Sequence, residues 1–451
     1  MERFIIEKGN FTLTSTAGLG LVGIALERYT DIKFLDKKLP YHHGILHSDI
    51  LKTYVGLLCQ GKSDFEASSG LKEDLFFQQA MGLSSVPSHA RLRQRMDEYA
   101  KIYESTINQG YVDFLSKAKP KFSRTSSGHI PLDVDATLLD NSYSKKEGVT
   151  ASYKRIHGYM PLAGYFGAEG YCLGFELRPG NQHGQTGARA FLKKLIKRAH
   201  QVSPRSKILF RMDAAHDATE NFIELEAGNE VHTAGIDYLI KWNPRNKLLK
   251  EEKDYWCQVA TQKEAWVKHR EGYKEAIFDI TAERFIKGTQ DGGTYRRIMR
   301  LREFTIDENG QQLMFPEITL EGWWTSLDLS CREVIELYNA RGTSEQFHSE
   351  FKTDLDIERL PSGKFATNSL VLSCAVLAYN ILRWMGQNGL VGRKAPIRNP
   401  AKRRRIKTVM QHLMYVAAMF IKSGRRLKIK FSRNSSIINI YHKLYYRTAY
   451  G

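Results

Sequence analysis

Four side chains in the stretch LYNARGTSEQFHSEFKTD, Leu337 to Asp354, are spaced to share one face of a helix: Tyr338, Arg341, Glu345 and Lys352. At roughly 100° per residue they fall within an arc of about 60°. A carboxylate flanked by a guanidinium and an ammonium suits chemistry on a polyanion, the acid holding a metal while the cations grip phosphates. The same spacing also fits a solvated face stitched by ion pairs.

Two more acids stand where strands end. SGHIPLDVDATLLD alternates apolar Ile130, Leu132 and Val134 with Pro131, Asp133 and Asp135, a half-buried strand closing near Asp135. KILFRMDAAHD is a second strand with Asp213 at its carboxyl end. Singly, each acid has a plain structural explanation, Asp135 capping a turn and Asp213 capping the helix that follows. Brought together with Glu345 at one sheet edge, they make a site for two hard divalent cations, Mg²⁺ or Mn²⁺. Two such ions about 4 Å apart assist in-line displacement at phosphorus by water or a DNA 3′-hydroxyl, and no nucleophilic side chain is required. Asp133 lies two residues from Asp135, hence on the same strand face, and the pattern alone does not separate them. No GxxxxGK[ST] loop, GxSxG elbow or Cys/His cluster offers competing chemistry.

The elements that must position these acids follow from periodicity. After the first strand come strands in YMPLAGYFG and YCLGFELRPG, a helix from near Thr186, the Asp213 strand, the helix ATENFIELEA and a strand in DYLIKWNPR. That order predicts an α/β fold, an RNase H-like mixed sheet with flanking helices. Asn181 and His183 fall in a loop read as a structural turn that could border the site. Residues 1–120 read as a helical DNA-binding domain, with Ser88 as N-cap of a helix bearing Arg91, Arg93 and Arg95. The catalytic core is expected over 121–245 and 326–390 and a β-rich insertion over 246–325, including a strand in YWCQVATQ and a hairpin at Asn309-Gly310. Residues 391–451 form a basic C-terminal region. Five of six tryptophans lie in or beside the insertion. Most suit a core, but Trp323 or Trp324 could stack on an unpaired base.

At 451 residues the chain is too long for one small core, and 42% hydrophobic content excludes a disordered chain. Five scattered cysteines form no zinc set or disulfide framework and suit a reducing cytosol. Ser369–Met385, the most apolar run, contains Asn380 and Arg383 and reads as a buried helix, so no membrane role is expected. The net charge of +18 is lopsided: Leu360 to Gly451 carries eighteen Lys and Arg and no acid, while the remainder balances 49 against 49. Such asymmetry implies a polyanionic partner, with Arg403, Arg404 and Arg405 as candidate phosphate ligands between apolar stretches such as TVMQHLMYVAAMFI, read as helical.

Tyr338, Arg341, Glu345 and Lys352 fit a Tyr-x2-Arg-x3-Glu-x6-Lys signature without a gap, and the chain resembles DDE transposases of bacterial insertion sequences. The group numbered thirteen-eighty is most similar, through LDVDAT, LRPGNQHGQTGARAFL, FRMDAAHD, RLPSGKFATNSLVLSCAVLAYNILRW, VPSHARLRQRMDE and GRRLKIKFS, which together span nearly the whole chain. The resemblance implies an RNase H-like core and metal-dependent cut-and-paste excision and insertion of DNA. It implies Asp135, Asp213 and Glu345 as catalytic and metal-binding acids, Asp135 being preferred over Asp133 because Ala-Thr follows it. Arg341 and Lys352 would hold DNA phosphates, and Tyr338 would contact the cleaved end. Partners would be double-stranded terminal inverted repeats and target DNA, engaged by a homodimer in the bacterial cytoplasm, at the nucleoid. The competing expectations are a catalytically inactive, domesticated DNA-binding protein and an RNase H-like nuclease without strand transfer.

Overall fold

The computed structural model describes residues 3–40, 44–245, 249–342, 344–392, 395–397, 399–424 and 426–450. Thr343 in the signature segment, Arg393, Lys394 and Arg398 in the basic connector, and Arg425 before the basic strand lie outside the described residues.

A short strand β1 (Thr12–Thr14) precedes six helices, α1 (Leu19–Tyr29), α2 (Leu35–Lys38), α3 (His47–Leu58), α4 (Leu75–Ala80), α5 (His89–Glu98) and α6 (Ala100–Ala118). Ser88 caps α5, its Oγ accepting the Arg91 N–H at 3.3 Å, which satisfies one of the orphan donors of a helix start. The arginines of α5 are engaged close by. Arg95 is buried over the Tyr99 ring, Arg93 pairs with Glu66 at 3.4 Å, and Arg91 donates to Gln94.

The middle of the chain supplies β2 (Ile130–Ala136), β3 (Leu139–Asp140), β4 (Thr150–Ala151), β5 (His157–Tyr159), β6 (Leu162–Phe166), β7 (Tyr171–Glu176), α7 (Ala188–Val202), β8 (Ile208–Met212), α8 (Thr219–Val231) and β9 (Ile236–Lys241). It continues with α9 (Leu249–Gln262), β10 (Val267–Arg270), β11 (Tyr273–Phe285), β12 (Gly292–Ile306) and β13 (Gln312–Thr325). Nine of these strands form one mixed sheet, in the order β10-β11-β12-β13-β9-β8-β2-β6-β7, with β9, β8 and β2 parallel. The strands β10 to β13 therefore do not hang apart: Trp323, Trp324 and Thr325 pair antiparallel with Lys241, Ile240 and Leu239 and extend the central sheet. β12 and β13 turn at Gly310, whose φ of 83° suits the residue type there.

YWCQVATQ is helical rather than extended. Trp256 and Ala260, one turn apart, are both buried, and Trp256 Nε1 donates back one turn to Glu252 at 3.0 Å. These contacts at helical spacing outweigh the strand propensity of Tyr, Trp, Val and Thr.

Alternation along β2 and β8 sends Leu132, Val134, Phe210 and Met212 into the main core, while Leu209 and Leu239 pack on the opposite side with Val334, Ile335 and Leu337. Those last residues belong to α10 (Cys331–Asn339), held at its start by a capping box between Ser330 and Glu333. α11 (Ser344–Ser349) and a π-helical turn, Glu350–Asp354, follow. Next comes α12 (Phe365–Gly389), the one helix among the described residues long and apolar enough to cross a membrane; it is instead buried against α6, α3 and β7.

The C-terminal region comprises α13 (Ile406–Val409), a second π-helical turn, Met410–Met414, β14 (Ala418–Ser423), β15 (Arg426–Phe431) and α14 (Ile438–Tyr450). The stretch TVMQHLMYVAAMFI is thus only half helical, because its second half pairs with β1 and β15. N- and C-terminal regions share one hydrophobic core with the sheet. The five cysteines are free.

Candidate active site

Asp135 reaches the sheet edge because β2 runs parallel to β8 with Asp133 opposite Arg211, so the next residue on that face is Asp135. Asp133 is buried and closed off: Arg211 grips both its oxygens at 2.7 and 2.8 Å and also donates to Leu337 O at 2.8 Å. The two aspartates left open by the sequence pattern thus part company. Asp133 ties β2 to β8 and α10, and Asp135 faces a cleft.

Asp213 follows β8 directly and starts a short turn, its Oδ1 accepting the Ala215 N–H at 3.2 Å. Its side chain stays 40% exposed. Glu345 is exposed on the first turn of α11. These three acids line one open cleft of about 620 Å³ together with Lys352, His348, Glu358, Tyr153 and Lys154.

Around Asp135 the charges are arranged in a fan. Arg341 Nη2 lies 3.4 Å from Oδ1 and donates to Val134 O at 2.9 Å. His348 Nε2 lies 3.6 Å from Oδ2, while its Nδ1 meets the buried Tyr165 hydroxyl at 3.0 Å. Burial pushes the Asp135 carboxyl up, but His348 and Arg341 outweigh it and hold it below the usual carboxylate range. His216, 3.8 Å from Asp213, is pulled down by burial despite that carboxylate. Burial also lifts the Tyr338 phenol.

Several nitrogens beside the cleft are buried with no hydrogen-bond partner among the described residues: His348 Nε2, His216 Nδ1 and Arg341 Nε. Unsatisfied groups of this kind cost free energy unless something else meets them. Among the described residues no three His, Cys, Asp or Glu groups stand close enough together to hold a metal ion between them. The donor chemistry still fits a hard divalent ion: three carboxylates border one open space, where water and phosphate oxygens can complete the coordination.

Other sequence expectations meet a different arrangement. Tyr338, Arg341, Glu345 and Lys352 do not ride on one helix, because α10 stops at Asn339 and α11 restarts at Ser344. Gly342 lies in that break, as its poor helix propensity allows. Arg341 nonetheless turns in to Asp135, Lys352 sits on the π-helical turn 3.8 Å from Glu358, and Tyr338 packs beside Trp323 under the Lys241 ammonium. Trp323 and Trp324 are 0% and 2% exposed, so neither offers a ring face to a base; Trp323 lies under α10 and Trp324 joins the main core. Arg403, Arg404 and Arg405 are engaged within the chain. Arg403 meets Glu350 at 2.6 Å, Arg404 donates to Leu390 O and Asn399 O, and Arg405 forks onto Asp354 at 2.9 Å. The reason is electrostatic: Glu350 and Asp354 are buried and need countercharges. Asn181 is used structurally, exchanging hydrogen bonds with Thr150.

Sequence reading passed over His348, His216, Tyr165 and the pair Tyr153-Lys154. His348 carried a usable signal, standing three residues after Glu345 and hence one turn along the same helix. The others carried none, since only the packing of distant segments brings them to the cleft.

A family model described as "Transposase DDE domain group 1" matches residues 12–449. No curated protein matches the chain. A solved structure similar to it is the cryo-EM structure of a piggyBac transposase synaptic complex with hairpin DNA. Identity is 13%, the TM-score is 0.43, and the match covers 88% of this chain and 79% of that one.

Proposed function

The chain belongs to the family of transposase DDE domains, group 1, and from that premise we propose that it is a metal-dependent DNA transposase of a bacterial insertion sequence. In this reading it binds the element's terminal inverted repeats, cleaves them hydrolytically, and joins the 3′ ends to target DNA by transesterification. The sheet from β2 to β9 with its flanking helices would be an RNase H-like core. The observation that carries the proposal is the convergence of Asp135, Asp213 and Glu345 on one open cleft.

These three carboxylates would hold two Mg²⁺ or Mn²⁺ ions, which when bound supply Lewis acidity at the phosphoryl group. The chain's own residues do the rest. Arg341, fixed by Val134 O and Asp135, keeps the Asp135 carboxylate ionised and aimed. His348, braced by the Tyr165 hydroxyl, does the same from the other oxygen. Lys352 lines the cleft where a phosphate would lie and exchanges its partner Glu358 for that phosphate. A homodimer bridging two DNA ends, working in the bacterial cytoplasm at the nucleoid, is the form in which this chemistry would operate.

The test is incubation of the full chain with a labelled terminal repeat of its element and with target DNA, in Mg²⁺ and in Ca²⁺. Cleavage followed by strand-transfer products in Mg²⁺, with binding alone in Ca²⁺, is the expected outcome. Binding without nicking in Mg²⁺ points to a non-catalytic DNA-binding protein. Nicking without joined products points to a nuclease.

A further inference from the structure

We propose that the tip of the β4–β5 hairpin, Tyr153-Lys154-Arg155, grips an unpaired nucleotide of the DNA strand entering the cleft, the base stacking on Tyr153 and its phosphates meeting Lys154 and Arg155. The proposal rests on the DNA-transposase reading above.

The hairpin is built as a stiff mount. Thr150 and Ala151 pair with Gly158 and His157, the Ser152 N–H donates to Ile156 O at 2.9 Å, and the Arg155 N–H donates to Ser152 O at 2.8 Å. Its base is wedged against β3, since a Cβ on Gly158 would run into Leu139 O. At the tip Arg155 has a φ of 59°, a left-handed conformation that an arginine adopts at a cost. The strain is held where three consecutive side chains are all exposed.

Tyr153 is 78% exposed. It lines the same cleft as Asp135, Asp213 and Glu345, as does Lys154. Apart from the Lys154 ammonium, 5.7 Å from the Tyr153 ring centroid, the three side chains make no hydrogen bond or ion pair among the described residues. A lone exposed tyrosine is ordinary. A tyrosine beside two uncommitted cations, on a rigid strained turn at the mouth of an acid-lined cleft, has the composition of a single-strand grip: a flat ring for a base and cations for its phosphates. Paired bases already stack on their neighbours and present only edges, so the ring gains from a base that has left the duplex. The buried Trp323 and Trp324 are in no position to provide such a platform.

The experiment measures binding of the full chain, in EDTA, to a blunt duplex and to the same duplex carrying a short tail of unpaired thymidines. Wild type is expected to prefer the tailed duplex. Tyr153→Ala should weaken the tailed complex about tenfold, the effect of one lost base–aromatic stack, and the blunt complex by less than about twofold. Tyr153→Phe should retain the preference. Lys154→Gln with Arg155→Gln should lower the salt slope for the tailed duplex by roughly 1.4, twice the single-strand value per phosphate. Absence of a tail preference in wild type, or equal weakening of both complexes by Tyr153→Ala, overturns the grip. Failure of wild type to bind either duplex overturns the transposase reading itself, and is distinguished by the wild-type result alone.

Discussion

Replacing Arg403, Arg404 and Arg405 together by alanine separates two roles that charge composition cannot. If all three were phosphate ligands, each would contribute about 0.9 to the slope of log affinity against log salt, or roughly 2.7 in all. Their geometry argues for a different loss. Arg403 shares the buried Glu350 with Arg383 and donates to Gln346, Arg404 caps two backbone carbonyls, and Arg405 spans Asp354 and Thr353. Removing them leaves Asp354, whose side chain is 1% exposed, without its cation, although the Lys407 N–H still donates at 2.9 Å. Stranding a buried carboxylate costs about 3–5 kcal/mol, and because Arg405 is half exposed and two donors remain, the Lys407 N–H and the Thr353 hydroxyl at 3.0 Å, about 2–3 kcal/mol is the appropriate figure. The triple variant is therefore expected to lower the urea midpoint clearly while changing the salt slope by less than about 1. A slope reduced by about 2.7 with an unmoved midpoint would refute the reasoning and return these arginines to the DNA interface.

Asp135→Asn, Asp213→Asn and Glu345→Gln should each reduce cleavage of a terminal repeat by on the order of 10⁴-fold while leaving binding in Ca²⁺ intact; near-normal cleavage by any one removes that residue from the site. Gly170→Ala, whose new Cβ would strike the Phe347 ring in α11, should slow cleavage about tenfold or more by shifting Glu345, with DNA affinity unchanged; unchanged cleavage would show that α11 tolerates the shift. Burial raises the Glu321 carboxyl, but Lys241 and Arg300 outweigh it and bring it from 4.5 to about 2. Its contribution to stability is therefore complete above about pH 4.5 and is lost as pH falls toward 2, at most about 3 kcal/mol and less because burial also opposes the charge on Lys241. A Glu321→Gln variant should show a flatter urea midpoint across that window, and identical profiles for variant and wild type would remove the pair from the account.

Local periodicity carried the sequence reading as far as local forces reach. The strict alternation around Asp133 and Asp135 predicted β2, and Asp213 was placed after its strand. What it could not supply were contacts between distant segments. Whether Asp133 or Asp135 faces the cleft depends on Arg211, seventy-eight residues away. That β13 would pair with β9 and make the insertion part of the central sheet is written in no single stretch. The arginine run looked free for DNA because Glu350 and Asp354, its buried counterions, lie some fifty residues upstream.

The pairing of β1 with β14 has a consequence for synthesis. Thr12 bonds in register with Phe420, and Gly18 fits so closely under Leu413 that no side chain could replace its hydrogen. Once synthesised, β1 therefore lacks its sheet partner until about four hundred further residues have followed, about 20 to 80 s at ordinary elongation rates. An unfinished nascent polypeptide cannot close this seam, so the sheet of β1, β14 and β15 is completed only when the three cleft-lining acids have already emerged.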